Sequence, residues 1–495
     1  MGIIQKQLSF ELLFVFLGRN MEHIISWVNN VVWGVPALVM ILGTGTYLSA
    51  KTGFIQLRLL PLAVRSFFQK LRAPKTDGVS PYQALCTALA ATVGTGNIAG
   101  VAGAIALGGP GSIFWMWLCA VFGMVTKFAE AALAVHYRKK DENGGYLAGP
   151  MYVIEKGLGK RWSWLGKIYC FFGVVAALGV GNATQIDAVI GGFRDVLQYF
   201  GKVGTNRGDL CIGAVAGVLL LAVLLGGAQR IGRFAEKLVP FAAVGYLALC
   251  LGALACTADR IPNAILQIFL GAFSPQAVTG GMLGSAFVSL RVGVARGVFT
   301  NEAGMGTAGI AHGAAEVRHP VEQGLMGIME VFLDTIVICT MTALVILCCG
   351  EEIQYGVDMG IRLTTRAFSA TYGSWASIPI SLFLCCFAFA TMIGWGLYGM
   401  RCAEYLFGKT AWKTFAVIQA VVLVVSTLLK TETIWALAEA VNGLMAIPNL
   451  IALWLLCPVV VKLTSEGRSR SDPGLRRLDA DRRYPHTESS QHRPY

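Results

Sequence analysis

The stretch ALAATVGTGNIAG, residues 88–100, decides the fold of this chain, because it places glycines and polar residues inside a membrane-length apolar segment. Glycine costs roughly 1 kcal/mol at each helix-interior position, and polar side chains in hydrocarbon cost more. Such residues are tolerated together where unwound backbone lines a cavity enclosed by protein. The stretch therefore predicts a broken helix whose N–H groups suit a carboxylate and whose freed carbonyls suit a cation. Close packing of small residues is the alternative, but it leaves the threonines and the asparagine unexplained.

A second stretch, SLRVGVARGVFTNEAGMGTAG at residues 289–309, has the same character. Its glycines occur among arginine, asparagine and glutamate residues that are unfavourable facing lipid. Glycine-broken helices at corresponding positions of two halves are typical of inverted-repeat transporters with a central binding site. The two stretches together predict such a site.

Composition places both stretches in a polytopic all-α membrane protein. Hydrophobic residues make up 55% of the chain and charged residues 14%, where a soluble domain carries roughly a quarter charged. Residues 51–75 alternate apolar with basic residues and are expected to form a helix on the membrane surface. About eleven apolar segments are long enough to span a bilayer, at approximately 28–49, 82–107, 111–137, 166–192, 209–227, 237–256, 278–312, 322–349, 374–400, 412–430 and 434–462.

These spans divide the chain into five parts. Residues 1–20 are interpreted as an over-extended start, and residues 464–495, which are polar, as a disordered cytoplasmic tail. The three parts between them are a first span with its surface helix, a first five-helix repeat and a second five-helix repeat, at residues 21–81, 82–256 and 278–463.

The net charge of +12 is interpreted as a signal of membrane orientation, not of nucleic-acid binding. Residues 51–75 are basic without any acidic residue, and the end of the chain is rich in arginine. The positive-inside rule then places the N-terminus outside and the C-terminus in the cytoplasm. We expect a multi-pass protein of the inner (plasma) membrane, embedded in the lipid bilayer; the sequence leaves its oligomeric state open.

Four long motifs carry a resemblance to a known family. They are VGTGNIAGVAGAIALGGPG at 93–111, FWMWLCAVFGMVTKFAE at 114–130, GGYLAGPMY at 144–152 and ARGVFTNEAGMGTAGIAH at 295–312. With them, residues 21–463 resemble the alanine/glycine:cation symporters, also called sodium:alanine symporters. The resemblance implies a LeuT-type five-plus-five inverted repeat preceded by one extra N-terminal helix. It also implies uptake of alanine or glycine with sodium, or with protons in some members, and no cofactor beyond the coupling ion Na+.

The resemblance also assigns site residues, with sodium as the only metal. Thr95 and Gly96 look like backbone donors to the substrate carboxylate, and Gln185 like the side chain that fixes the substrate's polar end. The residues that resemble walls limiting side-chain size are Phe299, Thr300, Thr391 and Trp395. The cation ligands implied are Asn97 and the carbonyls near Ala90, Thr92 and Val93.

Other intramembrane polar residues allow more than one interpretation. Lys127 and Glu130 are three apart, so we predict a structural ion pair between them in preference to a proton relay. Asp334 and Glu330 are predicted either to tune ion binding or to make interhelical hydrogen bonds. His312 ends the seventh predicted span, and we predict that it either caps this helix or takes part in gating. For Asp187 two interpretations stay open: it orders the fourth predicted span, or it helps to solvate the ammonium group of the substrate.

Functions of other classes fit less well. A membrane enzyme would need a nucleophile–base or metal arrangement such as HExxH, and the six histidines show no such pattern. A channel would need a continuous polar lining, whereas the polar residues concentrate at two helix breaks. Proton-coupled transport and exchange of small amino acids remain open alternatives to sodium symport.

Overall fold

The computed structural model describes residues 27–29, 32–72, 78–141, 144–273, 286–357, 360–428 and 431–470. The proposed over-extended start at 1–20 and most of the predicted tail lie outside this range. The last described helix runs to Arg470, past the expected tail boundary at 464.

The first half of the chain is almost entirely helical. A short antiparallel pair, β1 Lys139–Lys140 and β2 Tyr146–Leu147, interrupts it. Its helices are α1 Val35–Thr52, α2 Ile55–Arg58, α3 Leu60–Leu71, α4 Pro81–Thr92, α5 Ala99–Gly108, α6 Ser112–Tyr137, α7 Pro150–Val153, α8 Ser163–Leu178, α9 Thr184–Tyr199, α10 Asn206–Leu224 and α11 Gly227–Cys256.

The second half continues the helical pattern. Its helices are α12 Ile261–Phe273, α13 Ala286–Asn301, α14 Thr307–His312, α15 Pro320–Val331, α16 Thr340–Cys348, α17 Ile361–Tyr372, α18 Ser377–Phe407, α19 Ala411–Ser426, α20 Thr431–Leu455 and α21 Cys457–Arg470. Single π-helical stretches join α8 to α9 at Gly179–Ala183 and α15 to α16 at Phe332–Cys339.

Seven helices of the described part are long and apolar enough to cross a membrane, and the bent pair α4 and α5 makes eight. The other three predicted spans lack such a helix here for physical reasons. The segment at 278–312 breaks at residues 302–306, α19 is only 16 residues long, and α1, although 18 residues long, ends in the polar stretch GTGTYLSAKT. The helical membrane class is confirmed, and the count of eleven stays a prediction.

The helices α12 and α17 lie between predicted spans, where no helix was expected. α12 packs on α6, where the Phe114 and Phe273 ring centroids are 4.9 Å apart. α17 packs beside the first break, where Thr364 Oγ1 donates to the Ile98 carbonyl at 3.1 Å. Both helices cover the ends of longer helices, a role that hydropathy alone does not signal.

The described part of the basic segment, residues 51–72, completes α1 and forms the short helices α2 and α3. On α3, Phe68 is exposed, whereas Ala63 and Ser66 are buried. Lys70 Nζ lies 2.8 Å from Glu322 Oε2 at the start of α15. This contact connects the segment to the second half of the chain.

The first helix is fastened to α20 near the end of the chain. The Tyr47 and Trp454 rings stack with centroids 4.5 Å apart, and Trp454 Nε1 donates to Thr44 Oγ1 at 2.7 Å. α1 also packs on α6. The first helix therefore packs on helices from both halves of the chain.

Candidate functional site

The first break forms where the sequence places it. Ser80 and Gln83 start α4 with reciprocal side-chain to backbone bonds of 3.1 Å. The helix ends at Thr92, and the chain resumes as α5 after a bend of 60°. In a continued helix the Gly94 amide would bond to the Ala90 carbonyl, but it donates to Asn97 Oδ1 at 2.9 Å instead. A side chain of the break itself thus replaces the helical ladder.

Asn97 also fastens the break to the eighth predicted span. Its Nδ2 donates to Asp334 Oδ1 at 2.7 Å and to the Asp334 carbonyl at 3.1 Å. Thr335 Oγ1 donates to the other Asp334 oxygen at 2.8 Å. The interhelical hydrogen-bond interpretation of Asp334 is therefore confirmed. The role of Asn97 as a cation ligand stays a prediction.

The predicted carboxylate-binding residues meet their expected neighbours. Thr95 Oγ1 lies 3.3 Å from Gln185 Oε1, and Gln185 Nε2 donates to the Val180 carbonyl at 3.0 Å. That carbonyl belongs to the π-helical stretch before α9, which turns Gln185 toward the break. Both side chains are buried. A polar pair enclosed by protein suits the polar end of a small ligand.

The second broken helix closes on the first at Gly96. A β-carbon placed on Gly96 would lie 2.9 Å from Thr300 Cγ2 and 3.6 Å from Phe299 Cδ1. The Thr300 hydroxyl donates to its own helix, to the Arg296 carbonyl at 2.7 Å. Thr300 therefore presents its methyl group, and Phe299 its ring edge, to the break.

Thr391 and Trp395 lie on one face of α18. A β-carbon on Gly94 would lie 2.5 Å from Thr391 Oγ1. That hydroxyl is buried and has no hydrogen-bond partner within the described residues. Trp395 is completely buried, and its β-carbon abuts Gly181 so closely that a side chain there would overlap it. The structure thus brings all seven predicted substrate residues around one buried centre.

The predicted cation residues lie at the end of α4 within this centre. Ala90, Thr92 and Val93 are buried, and Thr92 Oγ1 donates to the Ala88 carbonyl at 3.2 Å. α18 approaches this turn closely, because a β-carbon on Gly394 would lie 2.8 Å from the Ala91 backbone nitrogen. The Ala90 carbonyl does not receive the helical hydrogen bond from the Gly94 amide, which donates to Asn97. This carbonyl and the Thr391 hydroxyl lie at the same turn.

The second break is stabilised by residues for which the sequence analysis gave no such role. Between α13 and α14, Glu302 has φ of 53°, a left-handed conformation that strains a non-glycine residue. Glu130 Oε1 accepts from the Gly304 and Gly306 amides at 3.0 Å each and from Asn449 Nδ2 at 2.7 Å. Buried acid and amide residues in apolar spans were the signal for this role.

The predicted pair between Lys127 and Glu130 is wrong. Glu130 is occupied by the amides of the second break, and Lys127 Nζ binds Glu330 Oε1 at 2.8 Å, with both side chains fully buried. The other Glu330 oxygen lies 2.9 Å from His312 Nε2, and Gln323 Nε2 lies 2.6 Å from His312 Nδ1. Because Gln323 Nε2 also points at the Pro81 carbonyl, 3.4 Å away, this chain links the ends of α14 and α4.

Two cavities lie beside helices that carry predicted site residues. One, of about 340 Å³, has Phe299 among its lining residues. The other, of about 780 Å³, is lined by Leu397 and Met400, which follow Trp395 on α18, and by Arg401 and Glu404. Both cavities thus border helices that carry predicted site residues, α13 in the first case and α18 in the second.

Comparisons with known proteins agree with this architecture. The chain is similar to the sodium/alanine symporter AgcS of Methanococcus maripaludis, at 43% identity over 89% of this chain and 96% of that protein. It is also similar to a Bacillus subtilis protein described as a probable sodium/glutamine symporter, GlnT, at 37% identity over 89% of each chain.

The fold is similar to that of MhsT, solved in complex with L-phenylalanine, at a TM-score of 0.56 and 13% identity. The match covers 79% of this chain and 99% of that one. MhsT is a LeuT-fold transporter, so the predicted LeuT-type fold class is confirmed. The profile of the Sodium:alanine symporter family matches residues 18–477. The chain therefore belongs to the sodium:alanine symporter family.

Proposed function

We propose that the chain is a secondary active symporter that imports small neutral amino acids, alanine or glycine, together with sodium. The observation that carries the proposal is the first break, where Thr95 and Gly96 lie buried between Gln185 and the second broken helix. The side chains of this centre are buried, which does not fit the water-filled lining of a continuous pore. The names of the relatives AgcS and GlnT support sodium as the coupling ion.

In this proposal the substrate carboxylate binds the Thr95 and Gly96 amides, and Gln185 fixes the polar end. Sodium binds at the end of α4, near the carbonyls of Ala90, Thr92 and Val93. The buried Thr391 hydroxyl beside Gly94 is a further oxygen ligand for the ion. Ion and substrate then share one unwound segment, so each favours the geometry that the other needs. Alternating access follows when the helices rock around this segment.

The proposed location is the inner membrane, with the C-terminus in the cytoplasm. The basic helices α2 and α3 and the start of α4 then lie at the cytoplasmic side, as does the 780 Å³ cavity, whose lining includes Gly78 and Val79. The 340 Å³ cavity faces outside. Protease removal of a C-terminal tag from inverted but not from right-side-out vesicles supports this orientation; the reverse pattern overturns it.

Uptake into proteoliposomes tests the function. We expect saturable uptake of glycine, L-alanine or D-alanine that requires an inward sodium gradient. Uptake driven by a proton gradient without sodium would support the proton-coupled alternative, and uptake only against internal amino acid would support exchange. Flux that never saturates would indicate a channel. Preference for glutamine over alanine would overturn the assignment to the smallest substrates.

Replacing Thr391 with Val tests the cation site. The change keeps the shape but removes an oxygen, and a lost contact to a charged group is worth about 1.5 kcal/mol or more. We therefore expect the sodium concentration for half-maximal uptake to rise by about tenfold or more. Ser381→Ala, another buried hydroxyl on α18, is the control and should leave sodium dependence unchanged. Normal sodium dependence in Thr391→Val would remove Thr391 from the site.

Replacing Trp395 with Ala tests the limit on substrate size. Trp395 is fully buried, so its removal opens space beside the centre, and uptake of leucine or phenylalanine should increase relative to alanine. The substitution also costs about 3–5 kcal/mol of stability, so Trp395→Phe is tested beside it as a milder variant. Trp375→Ala, with an exposed side chain before α18, is the control. An unchanged substrate range in both Trp395 variants would contradict its role as a lid.

A further inference from the structure

The 340 Å³ cavity carries charges of both signs above the buried centre. Its lining includes Arg291 and Arg296 of α13, Glu439 of α20 and the indole of Trp33. Phe299 forms part of the same lining, and its ring edge would lie 3.6 Å from a β-carbon on Gly96. The cavity therefore ends where the proposed substrate site begins.

Arg296 and Glu439 form an ion pair that remains open to the cavity. Arg296 Nη1 lies 3.2 Å from Glu439 Oε1. The Arg296 side chain is 21% exposed and the Glu439 side chain 29%. A partly exposed pair of this kind contributes only about 0–1 kcal/mol. A ligand that offers its own carboxylate and ammonium can thus replace the contact at little cost.

The position of Glu439 is set by the segment before α1. Trp33 Nε1 donates to the Glu439 carbonyl at 3.0 Å. Val32 packs on Gly443, one turn along α20, where a side chain would overlap it. The segment before α1 thereby supplies one wall of the cavity and holds α20 opposite Arg296.

We propose that this cavity is a second, weaker binding site for zwitterionic amino acids, which receives the substrate before the central site. Arg296 binds the carboxylate and Glu439 binds the ammonium, while Trp33 and Phe299 enclose the aliphatic part. This inference rests on the proposed function, because it takes the transported amino acid as its ligand. It differs from the central site in needing no cation, since the protein supplies both charges.

Chemical footprinting of Arg296 tests the proposal. Purified Gly96→Leu protein, whose central site is blocked, is treated with phenylglyoxal, and modification of Arg296 is followed by mass spectrometry. L-alanine at about ten times its dissociation constant should slow this modification about tenfold by mass action, with potassium in place of sodium. Propionate and ethylamine, which each lack one charge, should protect less. Arg207, exposed at the start of α10, is the internal reference.

The experiment includes two further proteins, a Glu439→Gln variant of the Gly96→Leu protein and the wild-type protein. Glu439→Gln in the same protein should abolish protection of Arg296 by alanine. Wild-type protein in sodium-free buffer should show the same protection as Gly96→Leu, which covers the case that the variant does not fold. Absence of protection in both backgrounds overturns the second site. If wild-type protein shows no protection but still takes up alanine with sodium, the proposed function stands without the second site. If both the protection and the sodium-dependent uptake are absent, the proposed function is overturned as well.

Discussion

Gly96→Leu is expected to abolish sodium-dependent binding of alanine at the central site while the protein still inserts into the membrane. A β-carbon at this position would already lie 2.9 Å from Thr300 Cγ2, and the rest of the leucine side chain has to enter the substrate space. Overpacking of this kind costs about 1–3 kcal/mol, and the side chain also displaces the ligand itself. We expect affinity to fall by about a hundredfold or more, measured by binding of labelled alanine to purified protein in sodium buffer.

Gly100 offers a matched control four residues along the same segment. A β-carbon on Gly100 would have no atom within 4 Å, so Gly100→Ala should bind alanine normally. Gly96→Ala should lose part of the affinity, because its methyl group presses on Thr300. Equal binding by wild type, Gly96→Ala and Gly96→Leu would rule out the carboxylate site at this break.

The break itself was predictable because its cause is local. Gly94, Gly96 and Asn97 are adjacent in sequence, and the cost of placing them in a helix in hydrocarbon can be read without any neighbour. The same holds for the second break at 302–306. Where a local rule decides the structure, the sequence prediction and the observed bend agree.

The partners of the buried charges were not predictable in the same way. Lys127 has Glu130 within one helical turn, and the spacing rule favours that pair. Glu130 is instead used by the Gly304 and Gly306 amides, and Lys127 by Glu330, each more than 170 positions away. Such pairings depend on how the helices pack, which hydrophobic patterns do not encode. The helices α12 and α17 were missed because they cover the ends of other helices without spanning.

Removing one partner of the buried pair Lys127 and Glu330 should strongly destabilise the protein. Lys127→Met leaves the Glu330 carboxylate in the core with only His312 beside it, and breaking a buried ion pair in this way costs about 3–5 kcal/mol. The double variant Lys127→Met with Glu330→Gln removes both charges of this pair, so part of the lost stability should return. Thermal unfolding in detergent should therefore rank the single variant lowest.

Lys70 and Glu322 provide the matched control, since their N–O distance is also 2.8 Å but each side chain is 28% exposed. Lys70→Met should change stability by only about 0–1 kcal/mol. Equal effects of Lys70→Met and Lys127→Met would mean that burial does not govern the cost. A double variant no more stable than Lys127→Met would mean that the penalty does not come from the unpaired charge.

The same variants separate stability from function. Glu330 orients His312 at the end of α14, and Gln323 connects His312 to the Pro81 carbonyl at the start of α4. A hydrophobic replacement restores stability without restoring this orientation, because methionine at 127 has no donor for residue 330. We therefore expect the double variant to fold but to transport alanine at a reduced maximal rate, measured in proteoliposomes at saturating sodium. A wild-type rate would show that the pair serves stability alone. A reduced rate would show that the buried charges fix the relative position of the two broken helices, on which alternating access depends.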